Sequence, residues 1–264
     1  MNLNLLLTEE QFLERSINSP YCFKLEKNNQ FLYYFGANHS NDPEDKQNSL
    51  LREFFQEFSL ISNNREKIVF IESLPIANDC SSEREMIIKH GERGLISFLA
   101  KEKNIRCLNI DQTFSEEAIE LIKKFELGYV FYYYFVRNVR SWLKKYRNKT
   151  FDEILIMSIE DCHKKIGELS KGFDLNLVKK VHFEIFGKEL DSSEICNIER
   201  APVPIYEDSI INEIARKSSR LRDENLLRNI EKEWVIGNDV FVVYGFSHSV
   251  KEEPVLRELV FTGL

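Results

Sequence analysis

Short apolar runs alternate along the chain with longer segments of helical periodicity. The first run, Gln30–Phe35 (QFLYYF), is uninterrupted and stops at Gly36, as a buried strand ended by a turn does. A polar stretch follows, and Lys46–Leu60 then spaces Leu50, Leu51, Phe54, Phe55 and Phe58 along one side of a helix. The pattern recurs with a strand over Lys67–Ile71 (KIVFI), which Glu72 follows directly. After a loop containing Pro75 and the polar NDCSS, a helix is expected from Glu83 to Lys103, with breaks at Gly91 and Gly94. Ile105–Ile110 (IRCLNI) reads as a third strand.

Ser115, Glu117 and Ala118 open another helix, and from there to Trp234 no stretch reads as a strand. The run Tyr129–Phe135 (YVFYYYF) fits either period, and its helical flanks assign it to a helix. Gly237-Asn238 signals a turn before the last strand, Asp239–Tyr244 (DVFVVY), which ends at Gly245. A final helix is expected near Glu252, with Pro254 in its first turn. Successive strand-helix units imply an α/β domain over residues 1–264, with a central, mainly parallel sheet flanked by helices. Residues 115–235 would form a helical insertion or lid before the last strand.

Composition narrows the class. Of 264 residues, 43% are hydrophobic and 30% charged, which permits a sizeable core and excludes a disordered chain. The formal charge of -7 argues against a protein that tracks nucleic acid by charge. Lys144, Lys145, Arg147 and Lys149 read as a solvated helix end, so no nucleic-acid partner is expected. The opening MNLNLLLTEEQF lacks a basic region and a cleavage site, so no export signal is expected. No stretch approaches the ~18 uncharged apolar residues of a membrane span. Cys22, Cys80, Cys107, Cys162 and Cys196 are scattered without a Cys-x-x-Cys pair, as small buried hydrophobes in a reducing cytoplasm would be.

Ligands of open parallel sheets bind beyond the carboxyl ends of the strands. Three polar residues are expected there: His39 after YYFG, Glu72 after KIVFI, and His248 after VVYG. The segments YFGANHS and VYGFSHS share a glycine that lets the backbone turn and a histidine that can point back over the strand end. His39, Glu72 and His248 could hold a divalent transition metal such as Mn, Co or Zn, or activate water by acid-base chemistry without one. Glu92, in KHGERG, is a candidate second ligand or base, with His90 beside it a surface or supporting residue. Arg222, in SSRLRDENLL, is a candidate clamp on a carboxylate or oxyanion, against the alternative of an ion pair with Asp223 or Glu224. Arg220, Arg137 and Arg140 are weaker candidates for the same role. His163 and His182 read as exposed or hydrogen-bonded residues of helices. No serine-hydrolase elbow, His-Glu-x-x-His or P-loop is present.

Taken together, GANH at Gly36 to His39, Glu72 in FIES, Arg222-Asp223 in RLRDEN and GFSH at Gly245 to His248 resemble a known superfamily. It joins TraB/PrgY proteins, Tiki proteases, erythromycin esterase-like enzymes and haem-binding ChaN-like proteins. The resemblance spans roughly residues 31–112 and 220–259 and rests on short motifs. It implies an α/β fold with a helical insertion and a site built from both halves. Tiki-like members imply metal-dependent peptide hydrolysis, and erythromycin esterase-like members imply ester hydrolysis without an obligatory metal. The expectation is therefore a cytoplasmic hydrolase of a small-molecule or peptide substrate. The alternatives are a module that binds haem or another small ligand and a regulatory protein with a vestigial site. The sequence leaves substrate, metal and oligomeric state open.

Overall fold

The structure, a computed structural model, describes residues 1–72, 80–146 and 148–262. The loop containing Pro75 and the basic residue Arg147 lie outside the described residues. The chain divides into two compact units, one formed by residues 1–111 and 223–264 and the other by residues 112–222.

The first unit runs α1 (Glu9–Leu13), β1 (Tyr21–Lys27), β2 (Gln30–Ala37), α2 (Lys46–Leu60), β3 (Lys67–Ile71), α3 (Glu83–Glu102) and β4 (Arg106–Asn109). The second contains α4 (Phe114–Leu121), α5 (Leu127–Lys145), α6 (Phe151–Ile166), α7 (Leu175–Phe186) and α8 (Ile195–Arg200). The long helix α9 (Ile210–Val235) leads from the second unit back into the first, which closes with β5 (Asp239–Gly245) and α10 (Phe246–Thr262). The fold is thus α/β, with the helical insertion ahead of the last strand. Among the described residues no helix is long and apolar enough to cross a membrane.

The sheet order is β1-β2-β5-β3-β4, with β1 antiparallel to β2 and every other pairing parallel. Its central strands read as unbroken apolar runs because both faces are covered. On one face Leu32, Tyr34, Phe70, Val242 and Tyr244 pack with Leu227, Ile230 and Trp234 of α9 and Leu256 and Val260 of α10. On the other, Tyr33, Phe35, Val69, Ile71 and Phe241 pack with Phe55 and Phe58 of α2 and Ile96 of α3. Phe241 is fully buried, with the rings of Phe55 and Phe58 each 5.3 Å away. Removing such a ring costs about 3–5 kcal/mol.

Several expectations are corrected. The final helix begins at Phe246, directly after Gly245, so Pro254 sits inside α10 rather than in its first turn. An edge strand, β1, precedes the first expected strand. The helix break is at Gly91, whose φ of 65° and ψ of -148° leave helical space. Cys196 is exposed, contrary to the buried reading given to all five cysteines.

The helical unit has its own core, centred on the expected aromatic helix. Val130 to Val136 of α5 are all buried, with Leu155, Val181, Ile198, Ile211 and Ile214 packed in the same cluster. The buried tyrosines find partners for their hydroxyls. Tyr134 donates to Glu117 at 2.7 Å and Tyr133 to Ser218 at 2.9 Å. Tyr132 bonds Nδ1 of the fully buried His182 at 2.6 Å. His163 bonds Ser170 at 2.9 Å.

Candidate functional site

The sheet order explains how distant residues meet. β5 lies between β2 and β3, with Ala37 in register with Gly245 and Ile71 in register with Val243. His39, Glu72 and His248 therefore emerge from the carboxyl ends of three adjacent strands. They converge on Gly245. A Cβ added to that residue would lie 3.2 Å from His39 Nε2, 3.4 Å from Glu72 Oε2 and 3.5 Å from His248 Cδ2. Its own N–H donates to Glu72 Oε2 at 2.9 Å.

Each histidine is fixed by a different carboxylate. His39 Nδ1 bonds Glu92 Oε1 at 2.8 Å, while its Nε2 faces Glu72 Oε2 at 3.6 Å. Glu92 is buried at 2% exposure, so it orients His39 from below rather than facing solvent. The bend at Gly91 makes this possible, because the Ser40 carbonyl lies only 2.7 Å from where a Cβ at Gly91 would sit. The hydrogen bond that His39 donates to Glu92, then the charge of Glu72, raises the pKa of His39 above its ordinary 6.5 despite partial burial.

His248 Nδ1 bonds Oδ1 of Asp223, the α9 residue of the Arg222-Asp223 pair in RLRDEN. The second oxygen of Asp223 meets Lys251 Nζ at 2.9 Å, and Lys251 also meets Glu9 Oε1 at 3.0 Å. Burial alone would raise the pKa of Asp223, but the charges of Lys251 and His248 prevail and hold it well below the usual carboxylate range. An ionised Asp223 has no proton to give, so Nδ1 of His248 carries the hydrogen of this bond and Nε2 is left to face the site. Glu252 is driven the other way by burial and by the charge of Asp223, and its Oε2 accepts from Tyr34 at 2.8 Å.

Four of the five expected residues are thus brought together. His39, Glu72, Glu92 and His248 share one site in the sheet unit. Arg222 belongs to the helical unit, where its charge acts on Tyr133 and Arg137. The residues missed were Asp223, Lys251 and Glu252. Their signal was three charged positions on helices that must also cover the sheet.

Two sets of donors deserve comparison as metal ligands. Asp223, His248 and Glu252 bring ligand atoms within 4.8 Å of one another. However, Asp223 already meets the ammonium of Lys251, and Glu252 is engaged by Tyr34. The nitrogens opposite the two carboxylates, with Glu72, are the expected alternative, but among the described residues their ligand atoms do not form such a close group. Metal-binding imidazoles usually have their other nitrogen held by a carboxylate or carbonyl. Comparison with known proteins adds no relative: no family model matches the chain, and no curated protein or solved structure matches it.

Proposed function

We propose that the sheet unit is a hydrolase of carboxylic ester or amide bonds, of the TraB, Tiki and erythromycin esterase-like type. The observation that carries this reading is the convergence of both Gly-x-x-His rings and Glu72 on Gly245, each ring being anchored at Nδ1 by its own carboxylate. Such anchoring fixes the tautomer and orientation of a working imidazole. In the proposed reaction His248 Nε2 takes a proton from water, whose oxygen attacks the carbonyl carbon. The bond to the leaving oxygen or nitrogen then breaks. His39, held between Glu92 and Glu72, gives that atom a proton. The first turn of α10 starts at the site and directs its backbone N–H groups and positive dipole end toward developing negative charge.

A divalent transition metal, if bound, would be held by His39, Glu72 and His248 and would supply a Lewis acid and an acidified water. The protein groups that position substrate are the same in either case. Haem binding draws less support, because Glu72 sets a carboxylate in the space that the two rings share.

The test is hydrolysis of a panel of aryl esters and fluorogenic peptides by the purified chain, with added Mn, Co or Zn and with chelator. Turnover that disappears in His248→Ala and Glu72→Gln supports the proposal. No turnover under any metal condition, or turnover indifferent to both substitutions, rejects it. Turnover that survives chelation assigns the metal-free version.

A further inference from the structure

The mechanism leaves one conspicuous group unused. Lys251 is 2% exposed, and an ammonium is seldom buried so completely unless it is paired. Its Nζ lies 2.9 Å from Asp223 Oδ2 and 3.0 Å from Glu9 Oε1. Asp223 in turn holds His248 through its other oxygen. The four side chains therefore form a single line of alternating charge and hydrogen bond, from an N-terminal helix to the rim of the site.

The local chain supports this line from both ends. Lys251 stands one turn after His248 on α10, which puts the two side chains on the same face and lets both reach Asp223. Glu9 opens α1, a helix started by a reciprocal capping box between Thr8 and Gln11. That segment grips the first turns of α10. Leu7 N–H donates to the carbonyl of Lys251 at 3.2 Å, and the Phe12 ring stands edge-on to Phe246 at 5.8 Å. Glu9 is thus held in place against the residue it neutralises.

We infer that Lys251 is a positioning residue for His248, acting through Asp223, and that Glu9 of the N-terminal segment holds Lys251 in that role. A carboxylate with only one fixed oxygen can rotate about its terminal bond. Asp223 has both oxygens fixed, so the direction in which it aims His248 is fixed too. The need for Glu9 follows from charge: it supplies the second carboxylate beside a buried cation already shared with an aspartate.

The inference rests on reading His248 as the working base, but its test does not require turnover. A histidine Nδ1–H donated to a buried carboxylate gives a low-field proton resonance in NMR, assigned here by its loss in His248→Gln. In the full chain, that resonance should move upfield or vanish in Lys251→Met, move less in Glu9→Gln, and return toward its original place in Lys251→Arg. The amide spectrum shows which variants remain folded, and Glu9→Gln, which keeps the Lys251–Asp223 pair, serves if Lys251→Met does not fold. A resonance unmoved in Glu9→Gln and in any folded Lys251→Met, or absent from the unsubstituted chain, overturns the inference. Where turnover is detected, Lys251→Met should lower kcat about 10–100-fold with KM nearly unchanged, the scale of lost outer-shell support. A responsive resonance without any turnover would uphold the positioning role and reject the hydrolase reading alone.

Discussion

The two glycines of the paired motifs should answer to alanine in opposite ways. Gly245 ends β5 without a positive φ, so its backbone accepts an alanine. Loss of unfolded-state freedom would contribute about 0.4–1 kcal/mol of stability. Against this, the methyl would stand 3.2 Å from His39 Nε2, a tight contact with a ring whose side chain is 56% exposed and can swing aside. The cost is then of the order of one hydrogen bond, His39 to Glu92, about 0.5–1.5 kcal/mol. These terms nearly cancel, and Gly245→Ala should change unfolding free energy by less than about 1 kcal/mol. Its effect on turnover should be far larger, because the methyl fills the space shared by both rings and Glu72. A displacement on the ångström scale costs about 100-fold in rate, close to 3 kcal/mol of barrier. At Gly36 the same change puts a Cβ 2.0 Å from Ser249 Oγ and 2.8 Å from the backbone oxygen of Tyr21. A backbone atom cannot swing aside, so β1 or α10 must shift, at about 1–3 kcal/mol or more. Urea unfolding and turnover measured on both variants decide the matter. A stable Gly245→Ala with full activity would show that the shared space is not where reaction occurs, and a Gly36→Ala as stable as the parent would refute the packing argument.

Other consequences are as direct. Asp223→Asn removes one of the two carboxylate charges that meet the buried Lys251, and should cost about 3 kcal/mol in urea unfolding; a loss below about 1 kcal/mol would contradict the paired-charge description. Tyr34→Phe removes the hydroxyl that Glu252 accepts at 2.8 Å in a fully buried setting, and thermal or urea unfolding should register about 1–3 kcal/mol. His39 has a folded pKa above its ordinary 6.5, so its contribution is fully present below that value and is lost as pH rises through the raised one. The stability advantage over His39→Ala should therefore be greater near pH 5.5 than near pH 8.5, and the opposite slope would exclude the pairing with Glu92 and Glu72.

The parts of this structure that the sequence discloses, and those it hides, follow from where each residue's partners lie. QFLYYF, KIVFI and DVFVVY announce themselves because strands covered on both faces must be apolar throughout. β1 is quieter: Phe23 and Leu25 are buried while Lys24 and Glu26 are exposed, a half-covered edge whose signal is only alternation. His39, Glu72 and His248 could be assigned to strand ends because glycine or a charge interrupts each run. Their meeting still depended on β5 entering between β2 and β3, which chain order alone does not dictate. The start of α10 was concealed because Gly245 and Phe246 offer none of the usual side-chain caps, so GFSH read as loop. Asp223 was concealed for a deeper reason. A charge among RLRDEN is ordinarily a solvated one, and neighbouring arginines offer an easy local partner. Yet α10 has to bury Lys251, Glu252 and Glu253 against the sheet, and buried charges of one helix require countercharges from another. Glu9, Tyr34 and Asp223 supply partners from three separate elements for Lys251 and Glu252. A run of charges in a helix that must also cover an apolar sheet face is therefore a sign of a buried polar network. Here that network ends on the histidine of the second motif.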